Sequence, residues 1–376
     1  MSRILLSTSV TVALLGGTAI ADVPSVAVDI APVHSLVARV MQGVGEPDLI
    51  VQPGESPHSF NLRPSAAAAL QDADVVFWIG EDLTPQLEES IETLAEGASV
   101  TALLESDGTT LLDFREGALF EEHDHDHDDH DDHDDHDHDD KDHADHDDHD
   151  HGDKDHADHD DHDHDEHEHK EANADDHGHD DHDDHDHEGE EHADHDAHDD
   201  HDGHDHGEHD PHAWLSPQNA SVWLNVIAGQ LSAADPENAG AYFANAADAR
   251  AEMEALSTDV DAIIDPVRGG SFIVFHDAYQ YFETDFDFAA SGAISIGDAS
   301  DPSPARIAEI QGRIRDEGVD CVLAEPQFNP GIVVTVLDGT EAKTGVIDPL
   351  GSALEPGPDL YPQLIRNMAQ TLVDCL

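Results

Sequence analysis

The chain has 376 residues and a formal net charge of −74, with 88 acidic residues against 14 lysines and arginines. Nucleic acid and anionic membrane surfaces both need basic patches, so this balance excludes them as partners and suits the attraction of cations. The length allows about two domains plus an appendage.

Residues 1–21 read as a secretory signal peptide: Arg3 supplies the positive start, Ile4 to Ile20 is mostly apolar, and Ala19-Ile20-Ala21 is a small-x-small cleavage site. No later segment approaches the roughly 18 consecutive apolar residues of a membrane helix. The mature chain is therefore expected to be soluble and exported, with the bacterial periplasm as its compartment.

From Val26 to about Val100 short apolar runs alternate with helical stretches. SVAVDI, DLIV, DVVFWIG and SVTAL read as strands, and HSLVARVMQGV, SAAAALQDA and PQLEESIETLAEG as helices. Alternation of this kind specifies a parallel α/β sheet. Ser216-Pro217 opens a further helix by N-cap and first-turn proline, and Asp235-Pro236 opens another that runs to about Ile264. A second α/β unit follows, with SFIVF, VDCVLAEP and TGVID as strands. AYQYFETDF, the stretch from Ser303-Pro304 to Asp316, GIVVTVLDG and YPQLIRNMAQTLVDCL read as its helices. The expected architecture is α/β, two parallel-sheet lobes joined by one long helix. The expected segments are an N-terminal lobe over 22–120, an insertion over 121–210, a return to the first lobe over 211–234, a linker helix over 235–267 and a C-terminal lobe over 268–376. Ligands of such sheets bind at the carboxyl ends of the strands.

The insertion is almost entirely histidine and aspartate. It holds 29 of the 33 histidines and 46 acidic residues against three lysines. With almost no apolar surface to offset chain entropy, it is expected to be disordered. KDHADHDDHDH occurs twice, at 141–151 and 154–164, but without an apolar face to stack it is no solenoid. Dense imidazole and carboxylate suit zinc and its divalent neighbours, so the tract reads as a collector of many weak metal sites. Two cysteines, Cys321 and Cys375, remain. In an oxidising compartment an even pair suggests a disulfide; two free thiols or two soft metal ligands are the alternatives.

Of the four histidines outside the tract, His58, His212 and His276 lie beside expected strand ends, in PGESPHSFNLRPS, HDPHAWLSPQNA and FHDAYQYFE. Any one alone reads as a surface or hydrogen-bonded residue. Three in loops of both lobes beside a metal-rich tract read as zinc ligands. His34, at a helix start, reads as a structural residue. Trp78, Trp214 and Trp223 read as core or lobe-packing residues, and Asp277 and Glu325 as carboxylates that could orient a ligand histidine. A zinc hydrolase is disfavoured by the absence of an H-E-x-x-H helix.

The segments GESPHSFNLRPS, HAWLSPQNA, FHDAYQYF, CVLAEPQF and DPLG resemble those of zinc-specific substrate-binding proteins of bacterial ABC transporters, in order along essentially the whole mature chain. The resemblance implies a non-enzymatic protein that captures Zn²⁺ between its lobes and delivers it to an inner-membrane ABC permease. It implies metal ligation by His58, His212 and His276 and a disulfide between Cys321 and Cys375. The expected state is a monomer. For the fourth ligand, related manganese-preferring proteins point to Asp348; water and Glu55 are the alternatives, and the Glu that some zinc members carry before the first histidine is Pro57 here. A manganese transporter protein and a passive zinc buffer are the competing functions.

Overall fold

The computed structural model describes residues 23–115, 120, 209–295 and 302–376. The expected signal peptide and residues 121–208 of the tract lie outside the described residues, and with them the expectations of cleavage and of disorder. Among the described residues no helix is long and apolar enough to cross a membrane.

The first lobe runs β1 (Val26–Val28), α1 (Ala31–Val40), β2 (Asp48–Leu49), α2 (Pro64–Asp72), β3 (Val75–Trp78), α3 (Pro85–Leu94) and β4 (Ser99–Ala102). Its four strands are all parallel, in the order β2-β1-β3-β4. After the tract come α4 (Pro217–Ala234) and α5 (Ala239–Ile264). The second lobe runs β5 (Phe272–His276), α6 (Gln280–Phe286), β6 (Ala293–Ser295), α7 (Pro304–Arg313), β7 (Cys321–Ala324), α8 (Pro330–Leu337), β8 (Lys343–Val346) and α9 (Leu360–Cys375). Its sheet is also parallel and repeats the first order, β6-β5-β7-β8. Each lobe therefore has a switch point, between β1 and β3 and between β5 and β7, where connections diverge and leave a crevice at the strand ends.

The helix starts follow from local chemistry. α2, α3, α4, α7 and α8 each begin on a proline, whose fixed φ suits the first turn and whose missing N–H costs nothing there. Ser216 and Ser303 cap α4 and α7 by accepting the N–H groups of Asn219 and Arg306. The long helix begins later than Asp235-Pro236 suggests. The Asp235 carboxylate accepts from the Asn238 amide (2.7 Å) and the Tyr242 hydroxyl (3.0 Å), which folds 235–238 into a turn. α5 therefore has 26 residues, about 39 Å at 1.5 Å per residue. β6 was not foreseen, because Ala293–Ser295 is only three residues long. α7 ends in a π turn over Ile314–Gly318 instead of running on as regular helix.

One core spans both lobes. Val28, Phe77, Trp223, Leu256, Tyr279, Phe282, Tyr361 and Leu364 all belong to it. α5 packs on α1 and α4 of the first lobe and on α9, which also touches β8 of the second. A smaller core built on Ile273, Phe275, Ile310 and Val322 fills the space beneath α7 and α8. Cys321, at the start of β7, and Cys375, at the end of α9, form a disulfide with a Cα–Cα distance of 5.7 Å, so the terminal helix is stapled to the second sheet.

Asp29 closes the switch point of the first lobe. Its two carboxylate oxygens accept the N–H groups of Ile30 and Ile79, each at 2.7 Å. Burial pushes its pKa up to about 7 despite those bonds. A carboxylate raised in the folded state contributes stability that is complete below its ordinary value near 4 and is lost as pH climbs through the raised one. Asn at this position does not titrate. The stability of the wild type relative to Asp29→Asn should therefore fall between about pH 5 and about pH 8. Urea unfolding of both proteins at the two pH values measures this, and a difference that grows with pH contradicts it.

Candidate metal centre

Three local structures bring the three histidines together. His58 sits in a single 3₁₀ turn, Pro57–Ser59, opened by a proline, and its backbone carbonyl accepts from the Gln86 amide (3.1 Å). His212 precedes a second such turn, Ala213–Leu215. Asp210 fixes it twice, accepting its backbone N–H (3.0 Å) and lying 2.7 Å from its ring Nδ1 with the same oxygen. This is the Asx-turn habit of aspartate, here extended to a ring two residues on. His276 is the last residue of β5, so it stands at the carboxyl end of a strand beside the second switch point. Glu325, just past the neighbouring β7, faces it across that crevice. Its Oε1 accepts the His276 N–H (3.3 Å) and lies 2.7 Å from Nδ1.

These contacts set the tautomers. A carboxylate at Nδ1 requires the proton there, which leaves the Nε2 lone pair as the free donor. Asp210, His212, His276 and Glu325 are all buried, and His58 is half-buried. Nε2 of His212 lies 3.3 Å from Nε2 of His58, and the available ligand atoms of the three rings lie within 4.8 Å of one another. Three nitrogens around an ion at about 2.0–2.1 Å in tetrahedral array would be about 3.4 Å apart, so small ring movements suffice to close the set. The cavity between them is about 10 Å³, walled by Trp214, Phe328, Pro349 and Leu350. That is room for about one water-sized species, such as an ion. Tyr279 is fully buried nearby. Burial first, and the Glu325 charge second, hold its hydroxyl well above the ordinary range, so it remains neutral and does not compete as a phenolate.

The other sequence candidates fall elsewhere. Asp348 is outside the histidine cluster. Its carboxylate is taken up by the Gln327 amide, the N–H groups of Leu350, Gly351 and Ser352, and the Ser352 hydroxyl, at 2.6–3.1 Å. It organises the turn after Pro349. Glu55 is paired with Arg63 at 2.5 Å. His34 is a buried residue of α1 whose Nε2 lies 3.0 Å from the Pro47 carbonyl. Of the two carboxylates considered for orienting a histidine, Glu325 does so and Asp277 pairs with Arg115. Trp223 is core, whereas Trp214 both packs between lobes, through Nε1 to the Pro349 carbonyl (2.8 Å), and lies against the His212 ring at 5.2 Å between centroids.

Asp210 was missed. Sequence reading gave it to the tract, yet it is among the most buried acids of the described residues, and His209 beside it is paired with Asp113. The tract's last two residues therefore belong to the folded body. The signal available was the Asp-Pro-His spacing, which sets Asp210 apart from the tract's other acids.

The family model described as "Zinc-uptake complex component A periplasmic" matches residues 26–375. The chain is 44% identical over 351 residues to the high-affinity zinc uptake system protein ZnuA of Brucella abortus (strain 2308), covering 93% of this chain and 91% of that one. It is 41% identical over 374 residues to the protein of the same name from Paracoccus denitrificans (strain Pd 1222), covering 98% of both. A solved structure described as "Crystal structure of ZnuA" superposes with a TM-score of 0.64 over 94% of this chain and 99% of that one, at 18% identity, which attests the shared fold. By sequence along almost its whole described length, the chain belongs to the family of periplasmic component A of zinc-uptake complexes.

Proposed function

We propose that this protein captures Zn²⁺ in the periplasm through His58, His212 and His276 and delivers it to an inner-membrane ABC permease. The observation that carries this reading is the convergence of three imidazoles, two of them held by buried carboxylates, on a cavity the size of an ion. Neutral imidazole suits zinc better than manganese, which favours a site of carboxylates and carbonyls. With Asp348 and Glu55 engaged elsewhere, water completes the coordination. The metal is cargo, so the protein is a carrier and not an enzyme, and it works as a monomer. The tract supplies weaker sites whose tethering raises the local zinc concentration beside the cavity.

Competitive zinc titration with metal analysis tests the reading, on the whole chain and on a chain lacking residues 124–202. One tight equivalent is expected in both proteins, with additional weaker equivalents only in the whole chain. Absence of a tight site from the shortened chain would move the function to the tract and make the protein a buffer.

A further inference from the structure

The segment Leu111–Arg115 leads into the tract and His209–Asp210 leads out of it. These two ends are pinned together: Asp113 and His209 form an antiparallel bridge, Asp210 donates its N–H to the Leu112 carbonyl (2.8 Å), and the His209 ring lies 2.9 Å from the Asp113 carboxylate. The pinned pair rests on α6 of the second lobe. The Tyr281 hydroxyl accepts the Leu112 N–H (3.0 Å) and donates to the Asp210 carbonyl (2.8 Å). Both ends of an insertion that interrupts the first lobe are therefore held by the second.

Arg115 extends this attachment. Its Nε lies 3.0 Å from both oxygens of Asp277, its Nη1 donates to Glu283 at 2.7 Å, and its Nη2 bonds both carboxylates. The arginine side chain is 17% exposed and the two acids 8% and 4%. The Phe120 ring covers the guanidinium at 3.5 Å. A planar fork that satisfies two buried carboxylates at once is a contact lysine cannot reproduce. Asp277 is joined by a peptide bond to His276, and Glu283 lies in α6, which carries Tyr281.

We propose that Arg115 is a positioning residue for zinc retention. It fastens the entry of the tract to the backbone behind His276, so that Asp210, His212 and His276 share one frame and the bound ion leaves slowly. The inference rests on the zinc site proposed above. It predicts that loosening this frame accelerates release while leaving the ligand set, and hence the stoichiometry, intact.

The test is the rate of Zn²⁺ transfer from the full chain to excess chelator, measured for wild type, Arg115→Lys, and a combined Arg115→Met, Asp277→Asn, Glu283→Gln variant. The combined variant removes the cation and both charges together, so no buried carboxylate is left unpaired. Release about ten-fold faster is expected from the combined variant, the low end of what loss of a ligand's own partner costs, with one tight equivalent and a zinc-free melting temperature near that of wild type. Arg115→Lys should fall between the two. Wild-type release from the combined variant with its tight site retained overturns the proposal. If that variant melts early, Arg115→Lys decides: faster release at unchanged zinc-free melting supports the proposal, and a wild-type rate overturns it. A wild type without a tight equivalent would instead remove the zinc site on which the inference stands.

Discussion

His212→Ala should lower zinc affinity by about a hundred-fold or more. Structural zinc sites reach apparent free energies of about 10–16 kcal/mol over four ligands, so each contributes about 2.5–4 kcal/mol. His212 is fixed by Asp210 at both its backbone and its ring, as His276 is by Glu325, and its loss forfeits a pre-oriented donor. Chelator competition measures the effect. His34→Ala removes an imidazole bonded to the Pro47 carbonyl and should leave affinity within a few-fold, as a control for histidine loss in general. Asp348→Asn tests that carboxylate as the fourth ligand. With that carboxylate engaged by five donors, the variant should destabilise its turn and leave zinc affinity within a few-fold. Wild-type affinity in His212→Ala would remove the proposed site altogether.

Replacing both cysteines with serine should cost about 4 kcal/mol of stability, the loop-closure value for a 54-residue separation. The bridge fastens α9 to β7, and Glu325 follows directly from the end of β7. The loss should therefore reach the metal centre as well as the fold. Chemical unfolding of the zinc-free double variant gives the stability, and denaturation in the presence of zinc gives the part that the ion restores. Unchanged unfolding in the double variant would mean that packing of α9 alone holds the terminus.

The alternation of apolar runs with helical stretches made the two parallel sheets legible, because that order implies strand–helix–strand crossovers; a short apolar run alone does not decide, as GIVVTVL in α8 shows. Ser216-Pro217 and Ser303-Pro304 made two helix starts legible, whereas Asp235-Pro236 set the start of the long helix too early. The three histidines stood out because so few lie outside the tract. The carboxylates behind them could not be read. Asp210 carries the same residue type as dozens of its neighbours, and only the fold of 209–215 separates it from them. Choosing between Asp277 and Glu325 requires knowing that β5 and β7 are neighbours, which is a matter of sheet order and not of sequence spacing. Asp348 illustrates the converse. Its Asp-Pro context fits a turn and a ligand equally, and the five donors around it become visible only once the turn is built.

The core that runs unbroken through α1, α4, α5 and α9 has an evolutionary consequence. Two lobes with the same strand order invite the picture of interchangeable modules. Here a lobe borrowed from a relative would have to arrive with matching faces for a helix that belongs to neither lobe alone. Tyr361 of α9 gives its backbone N–H to the Ser35 hydroxyl and its own hydroxyl to the Trp214 carbonyl, so even the last helix is written partly in the first lobe's residues. Change in this family should therefore accumulate by substitution within the whole frame, with recombination between lobes selected against.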